Sequence, residues 1–139
     1  MKHAFPIHST AAESVWEQAL PFIVRAMKFD NGRISTDDLL ARIKSRDMQL
    51  WFGTDDGRLD MVAVTEICIW PQMKVARFVV LAGKDFEGWW AFARPMFAEW
   101  AKREGCEQFE VKGRKGWLKT LRGWALDHVV MRTEVAHGR

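Results

Sequence analysis

Apolar residues in the first third of the chain recur at helical spacing. One stripe, in which neighbours are three or four positions apart, consists of Trp16, Leu20, Ile23 and Met27. This spacing places them on one face of an amphipathic helix, and Thr10 and Glu13 have the spacing of a capping box at its start. A second helix is expected to begin at Ser35, because the two carboxylates of its first turn suit the positive end of the helix dipole.

From position 49 the pattern becomes typical of strands. Three consecutive strands are predicted at about 50–53, 61–70 and 74–82. The run that ends in Asp56 and Gly57 is a hairpin signal between the first two strands. Strands joined by such short connections favour an antiparallel meander.

Helical spacing returns at 86–104, and Gly105 is expected to end that helix. The remaining predicted elements are a strand at 106–112, a short helix at 114–124 and a strand at 128–135. Because strand, helix and strand in sequence favour a right-handed parallel crossover, strands 74–82 and 106–112 should be parallel neighbours. With a weak strand at the N-terminus, the order is β-α-α-β-β-β-α-β-α-β. The fold class is α/β, an α+β arrangement with a mixed sheet.

Length and composition narrow the class of protein. A chain of 139 residues predicts a single domain, 1–139. The net charge of +3 is mild, because 21 basic residues are offset by 18 acidic ones, and it does not indicate a nucleic-acid binder. The start of the chain is not a signal peptide, and no apolar run approaches the roughly 18 residues of a membrane span. We therefore expect a cytoplasmic protein without a membrane partner.

Two residue types limit the chemistry. Cys68 and Cys106 match no metal-ligand spacing, so we interpret them as buried reduced thiols and predict no metal site. The chain has eight Trp and no Tyr. Tyr therefore cannot serve as an acid, and the indole N–H of each buried Trp needs a partner.

The element order, together with Gly123 and Trp124 before the final strand, resembles the GNAT superfamily of N-acetyltransferases. In that family strands equivalent to 74–82 and 106–112 splay to admit the pantetheine arm of acetyl-coenzyme A. The turn after the first of them cradles the pyrophosphate. The resemblance implies that any cofactor would meet Leu81, Ala82, Gly83, Lys84 and Gly88.

This turn departs from the family signature R/Q-x-x-G-x-G/A. Only Gly83 and Gly88 are present, at a different spacing, and Asp85 and Glu87 fall at the start of the helix. Carboxylates cap a helix N-terminus well but compete with a phosphate for the same N–H groups. We interpret the turn as an eroded pyrophosphate loop, a self-capped helix without a cofactor. The alternative is acetyl-CoA or CoA bound by an atypical loop.

The catalytic groups that the resemblance implies are also replaced. An Asn or Tyr often acts in the family's last helix, and alignment places Lys112 and Lys119 there instead. Glu66, on the face of its strand that carries Val64 and Cys68, is the candidate general base, with a pKa raised by desolvation. The alternative is a carboxylate paired with Arg77.

The densest cluster of positive charge is the candidate partner surface. It consists of Arg114, Lys115, Lys119 and Arg122. On a helix, the last three share one face and Trp117 shares the other with Leu118. A solvated face, a phosphate contact and an acidic protein surface all remain open. Nucleic acid is the weaker choice, because the Trp side chains for base stacking fall on the buried side.

The segment 117–121, Trp-Leu-Lys-Thr-Leu, is similar to one in small GNAT-like proteins of tailed bacteriophages, some of which are virion-associated. The resemblance implies a protein partner or a role in virion assembly, with the virion as an alternative location. We therefore expect a non-catalytic binding or structural module. The competing hypothesis is an acetyl-CoA-dependent N-acetyltransferase with an atypical loop.

Overall fold

The structure is a computed structural model that describes residues 1–28, 32–112, 123–125, 127 and 131–135. Its elements are β1 (Lys2–Ile7), a 3-10 turn (Ser9–Ala11), α1 (Ala12–Met27), α2 (Thr36–Lys44), β2 (Met48–Asp55), β3 (Arg58–Ile69), β4 (Lys74–Gly83), α3 (Phe86–Arg103) and β5 (Cys106–Val111). This order confirms the predicted fold class.

The five strands form one mixed sheet in the order β1-β2-β3-β4-β5. Every neighbouring pair is antiparallel except β4 and β5, which are parallel. The meander and the crossover are therefore confirmed. The hairpin between β2 and β3 is confirmed too, because Asp56 and Gly57 both have positive φ, at 51° and 80°.

The predicted splay of β4 and β5 stays a prediction, because β5 ends at Val111, the partner of Phe78. Pairing runs from Lys74 beside Cys106 to Phe78 beside Val111, and the described residues give the later part of β4 no β5 partner. Val79 is the extra residue of a bulge against β3, since Thr65 pairs with Phe78 and Val64 with Val80. A bulge bends its strand, so β4 changes direction where its pairing with β5 ends.

Helices cover both faces of the sheet. On one face α1 and α2 pack against β2, β3 and β4 in the α1–α2 core, which contains Ile23, Leu39 and Val64. On the other face α3 packs in a second core, the α3 core, around Trp51 and Phe78. The predicted stripe of α1 is confirmed in part: Trp16 and Ile23 are buried, while Leu20 and Met27 are partly buried against the same core.

Two expectations at the ends of elements differ from the structure. The capping box of Thr10 and Glu13 does not form; α1 begins at Ala12, and the ring Nδ1 of His8 accepts from the Thr10 N–H at 3.2 Å. Thr10 lies inside the 3-10 turn, so it does not stand at the cap position of the α-helix that follows. Residues 131–135 of the predicted last strand are described and are not in a strand, whereas 128–130 lie outside the described residues.

Candidate functional site

The end of β4 is held close to β3, and this contact fixes the start of the loop before α3. A Cβ added to Gly83 would lie 2.7 Å from the carbonyl oxygen of Asp60, so only glycine fits. The next residue, Lys84, donates its backbone N–H to the same carbonyl at 3.1 Å. That N–H is therefore committed within the protein.

Asp85 caps α3. Its backbone is in the left-handed region at φ 47°, and its Oδ1 accepts from the Gly88 N–H at 3.3 Å. A Cβ on Gly88 would collide with the Asp85 carboxylate, so a side chain there would displace the cap. The predicted self-capped helix is what the geometry shows. Glu87 adds a second carboxylate to the first turn.

Cations and carboxylates alternate around this loop. Arg58 holds Asp60 through two hydrogen bonds of 2.8 and 3.0 Å, and this pairing lowers the pKa of the Asp60 carboxyl, with smaller contributions from Lys84 and Lys2. The Lys2 ammonium lies 5.0 Å from the ring centre of Trp89 on α3. β3 has one extra residue at Asp60, because Gly53 pairs with Met61 and Thr54 with Leu59. The bond from Arg58 holds the side chain of this bulged residue, whose carbonyl accepts from Lys84.

A narrow apolar cleft lies between the end of β4 and the first turns of α3. Leu81, Ala82 and Gly83 line one side, and Phe86 and Trp89 line the other. The cleft has room for about one water molecule.

Glu66 lies elsewhere on the sheet, on the face opposite α3. Its carboxylate accepts from Arg77 Nη1 at 3.2 Å, and Arg77 Nε also donates to Glu110 at 2.8 Å. This is the Arg77-paired arrangement that the sequence left as the alternative. Burial raises the pKa of the neighbouring Cys68 thiol, and Cys68 and Cys106 are both free and partly buried.

The structure thus brings together the predicted cofactor residues and separates Glu66 from them. Leu81, Ala82, Gly83, Lys84 and Gly88 all belong to the β4–α3 junction. The predicted partner residues Arg114, Lys115, Lys119 and Arg122 lie outside the described residues. Gly123 and Trp124 are described: Gly123 has φ 83°, and the Trp124 ring stacks on Phe109 with centres 6.3 Å apart.

Sequence reasoning missed the Arg58–Asp60 pair at this junction. Arg58 and Asp60 are two apart on one strand, a spacing that brings them to the same face, and this signal could have identified them. Over the described ranges no cluster of three metal-binding side chains occurs. The helices that the structure describes include none that is both long and apolar enough to cross a membrane.

Comparison with known proteins gives a match at the level of structure only. The sequence matches no protein-family model, and no curated protein matches it. An aminoglycoside acetyltransferase from an uncultured soil metagenomic sample, solved in complex with sisomicin, superposes with a TM-score of 0.68 at 9% identity over 96% of each chain. A GNAT family acetyltransferase of Staphylococcus aureus gives 0.66 at 10% identity, over 96% of this chain and 98% of the other.

A predicted acetyltransferase of Clostridium acetobutylicum, solved with acetyl-CoA, gives a TM-score of 0.66 at 10% identity over the whole of both chains. Identities this low establish the arrangement of elements and leave the chemistry to be argued from the site. The chain has the fold of the GNAT acetyltransferases.

Proposed function

We propose that this GNAT-fold chain is a non-catalytic binding or structural module with an eroded pyrophosphate loop. The observation that carries the proposal is the Asp85 carboxylate at the N-terminus of α3, which accepts from the Gly88 N–H. In the fold family this helix end receives the coenzyme pyrophosphate. A carboxylate there takes a donor and adds negative charge where the phosphates would need positive potential.

A further observation supports the proposal. The Lys84 N–H is bonded to the Asp60 carbonyl, so a second backbone donor of the loop is committed. A pyrophosphate at this loop would therefore have to displace hydrogen bonds that the protein makes within itself.

Titration with acetyl-CoA while following thermal unfolding tests this proposal. We expect no change in melting temperature at about 1 mM acetyl-CoA, whereas a site with a Kd of about 10 µM would add about 2.7 kcal/mol to the free energy of unfolding. A GNAT enzyme of known coenzyme affinity serves as the positive control. A clear stabilisation of this chain at micromolar ligand would overturn the proposal.

An acetyl-CoA-dependent N-acetyltransferase with an atypical loop is the second candidate. It is favoured by the bulge at Val79, beyond which the described residues give β4 no β5 partner, since the fold family admits coenzyme between these two strands. Glu66 would be its general base, which requires that the Arg77 bond be broken. Release of free coenzyme A thiol in the presence of an amine acceptor would support this candidate.

The partner that we propose is the acidic surface of another protein, in a virion if the gene belongs to a phage. The residues proposed for this contact are Arg114, Lys115, Lys119 and Arg122, a proposal that rests on the sequence. Charges on a protein surface add salt-dependent attraction to an interface.

We expect Lys119→Glu combined with Arg122→Glu to reduce co-purification of the partner from the native source, and added salt to weaken the wild-type association. Folding should be unaffected, because exposed substitutions usually change stability by no more than about 0.5 kcal/mol. The matched control reverses Arg25 and Arg94, which are exposed on α1 and α3. Equal recovery of the same partners by both variants would refute the assignment.

A further inference from the structure

A second, larger groove lies at the end of the sheet opposite the β4–α3 junction. Ile7 of β1 and Met48 at the start of β2 form its border, whereas Lys2 and Asp55, which pair at the other end of the same strands, lie toward the junction. The groove passes from the C-terminal end of α2 to the last turns of α3 and encloses about 980 Å³, its open mouth included.

The groove combines an apolar floor with basic sides. Pro6, Ile7 and Met96, which are exposed or partly buried, contribute to the floor. The ionisable side chains of its described lining are His8, Arg46 and Arg103, and no carboxylate is among them. Both arginines are exposed. A ligand that fits must therefore bring apolar groups to the floor and negative charge to the sides.

We propose that this groove binds an extended acidic peptide segment of a protein partner, with apolar side chains on the floor and carboxylates at Arg46 and Arg103. This site is separate from the β4–α3 junction and from the cationic residues 114–122. The proposal therefore stands whether or not the chain binds acetyl-CoA.

The burial of the aromatic rings favours a peptide over a nucleic acid. Trp51 and Trp100, which line the groove, are only 3% and 8% exposed, so their ring faces are not available for bases to stack on. Met96 is partly buried in the lining, and the flexible thioether of a methionine adapts to different apolar side chains. An open groove with such a floor suits a chain that lies along it.

Both arginines also lie near the C-terminal end of a helix, where a cation stabilises the helix itself. Cations are common at helix C-termini, and Arg103 lies 3.5 Å from Glu99 on the same helix. That contact is exposed at both ends, so it contributes little and an incoming carboxylate can replace it. Arg46 has φ 72°, a conformation that favours glycine, so backbone geometry alone does not select an arginine there.

The test is selection of a random octapeptide library, displayed on bacteria, with the labelled 139-residue chain. We expect the enriched peptides to alternate or mix acidic and apolar residues. An enriched peptide is then synthesised and its Kd measured by fluorescence anisotropy. We expect Arg46→Glu combined with Arg103→Glu to weaken binding at least about tenfold, and added salt to weaken wild-type binding.

The matched control is Arg42→Glu combined with Arg94→Glu, the same charge change at exposed positions of α2 and α3 outside the groove. It should change the Kd less than about twofold. Glu99→Gln should tighten peptide binding, because it frees Arg103. If the Arg46→Glu, Arg103→Glu protein fails to fold, this variant tests the role of Arg103 in its place. Failure to enrich any peptide, enrichment without acidic residues, or equal binding by the reversed variant would overturn the proposal.

Discussion

At the scale of single residues, the indole N–H of Trp51 has the partner that burial demands. Trp51 Nε1 donates to Thr65 Oγ1 at 2.9 Å, and the Thr65 hydroxyl donates in turn to Gln49 Oε1 at 2.8 Å. Thr65 is completely buried. One hydroxyl therefore satisfies two side chains across β2 and β3 while acting as both acceptor and donor.

Thr65→Val is expected to lower the free energy of unfolding by about 1–3 kcal/mol, because it keeps the shape and leaves the buried Trp51 N–H without an acceptor. Chemical denaturation measures the change. Thr65→Ser, which retains the hydroxyl, is the control and should recover most of the Trp51 bond while losing only one methyl group. Equal destabilisation by the two variants would show that the hydrogen bond is unimportant.

At the scale of elements, α3 begins at a residue whose charge and conformation have separate effects. Asp85 occupies the left-handed region, which Asn also tolerates, and its side-chain oxygen supplies the cap. Asn can therefore supply the same cap and adopt the same backbone conformation without the negative charge. This substitution isolates the electrostatic part of the argument about the pyrophosphate loop.

Asp85→Asn is expected to leave stability within about 0.5 kcal/mol. It should tighten coenzyme A binding about two- to fivefold, the effect of removing about 0.3–1 kcal/mol of unfavourable charge at a helix N-terminus. The dependence of melting temperature on coenzyme concentration, carried to about 20 mM at low ionic strength, measures it. Asp37→Asn in the first turn of α2 is the control. Weaker coenzyme binding by Asp85→Asn than by wild type would mean that the carboxylate assists the ligand.

The sequence predicted the long elements closely and their special ends poorly. The spacing of Trp89, Ala93 and Trp100 gave α3 to within a residue, because a buried helix face imposes its period on the sequence. The start of α1 was wrong, since a capping box and a 3-10 turn use the same kinds of residue. Val79 and its two neighbours, Phe78 and Val80, are all apolar, so the bulge does not interrupt the hydrophobic pattern of the strand.

At the scale of the whole molecule, Gly53 sets how closely α3 approaches the sheet. A Cβ at this position would lie 2.7 Å from the Trp89 ring and 2.9 Å from the Cβ of Met61. Gly53→Ala is expected to cost about 1–3 kcal/mol, because either α3 or the strand β3 must shift. Thermal unfolding measures the change.

The control for Gly53 is a double-mutant cycle with Trp89→Leu. The cost of Gly53→Ala should be smaller in the Trp89→Leu background, because part of the steric conflict has been removed. An equal cost in both backgrounds would place the whole conflict at Met61.

The candidate site was predictable in its composition and less so in its contacts. The two carboxylates at the start of α3 and the lack of family glycines are visible in the sequence, and they led to the self-capped helix that the geometry shows. The pairing of Lys84 with Asp60 was not predictable, because a backbone contact between strands depends on the register and the bulge of β3. The groove at the other end combines residues of β1, α2, β2 and α3 and of the turns between them, so no local pattern reveals it.

The division of the apolar interior into two cores has a consequence for the order in which the chain acquires structure. The described members of the α1–α2 core all lie between Ala12 and Val80, whereas the α3 core also needs residues of α3. During synthesis the α1–α2 core can thus form while Trp51 and Phe78, on the other face of the sheet, are still exposed because α3 has not yet been made. The parallel strand β5 joins only after this long connection closes, a slow kind of step. A chain that ends before α3 would expose the apolar sheet face that α3 covers. It would be the form most prone to aggregate.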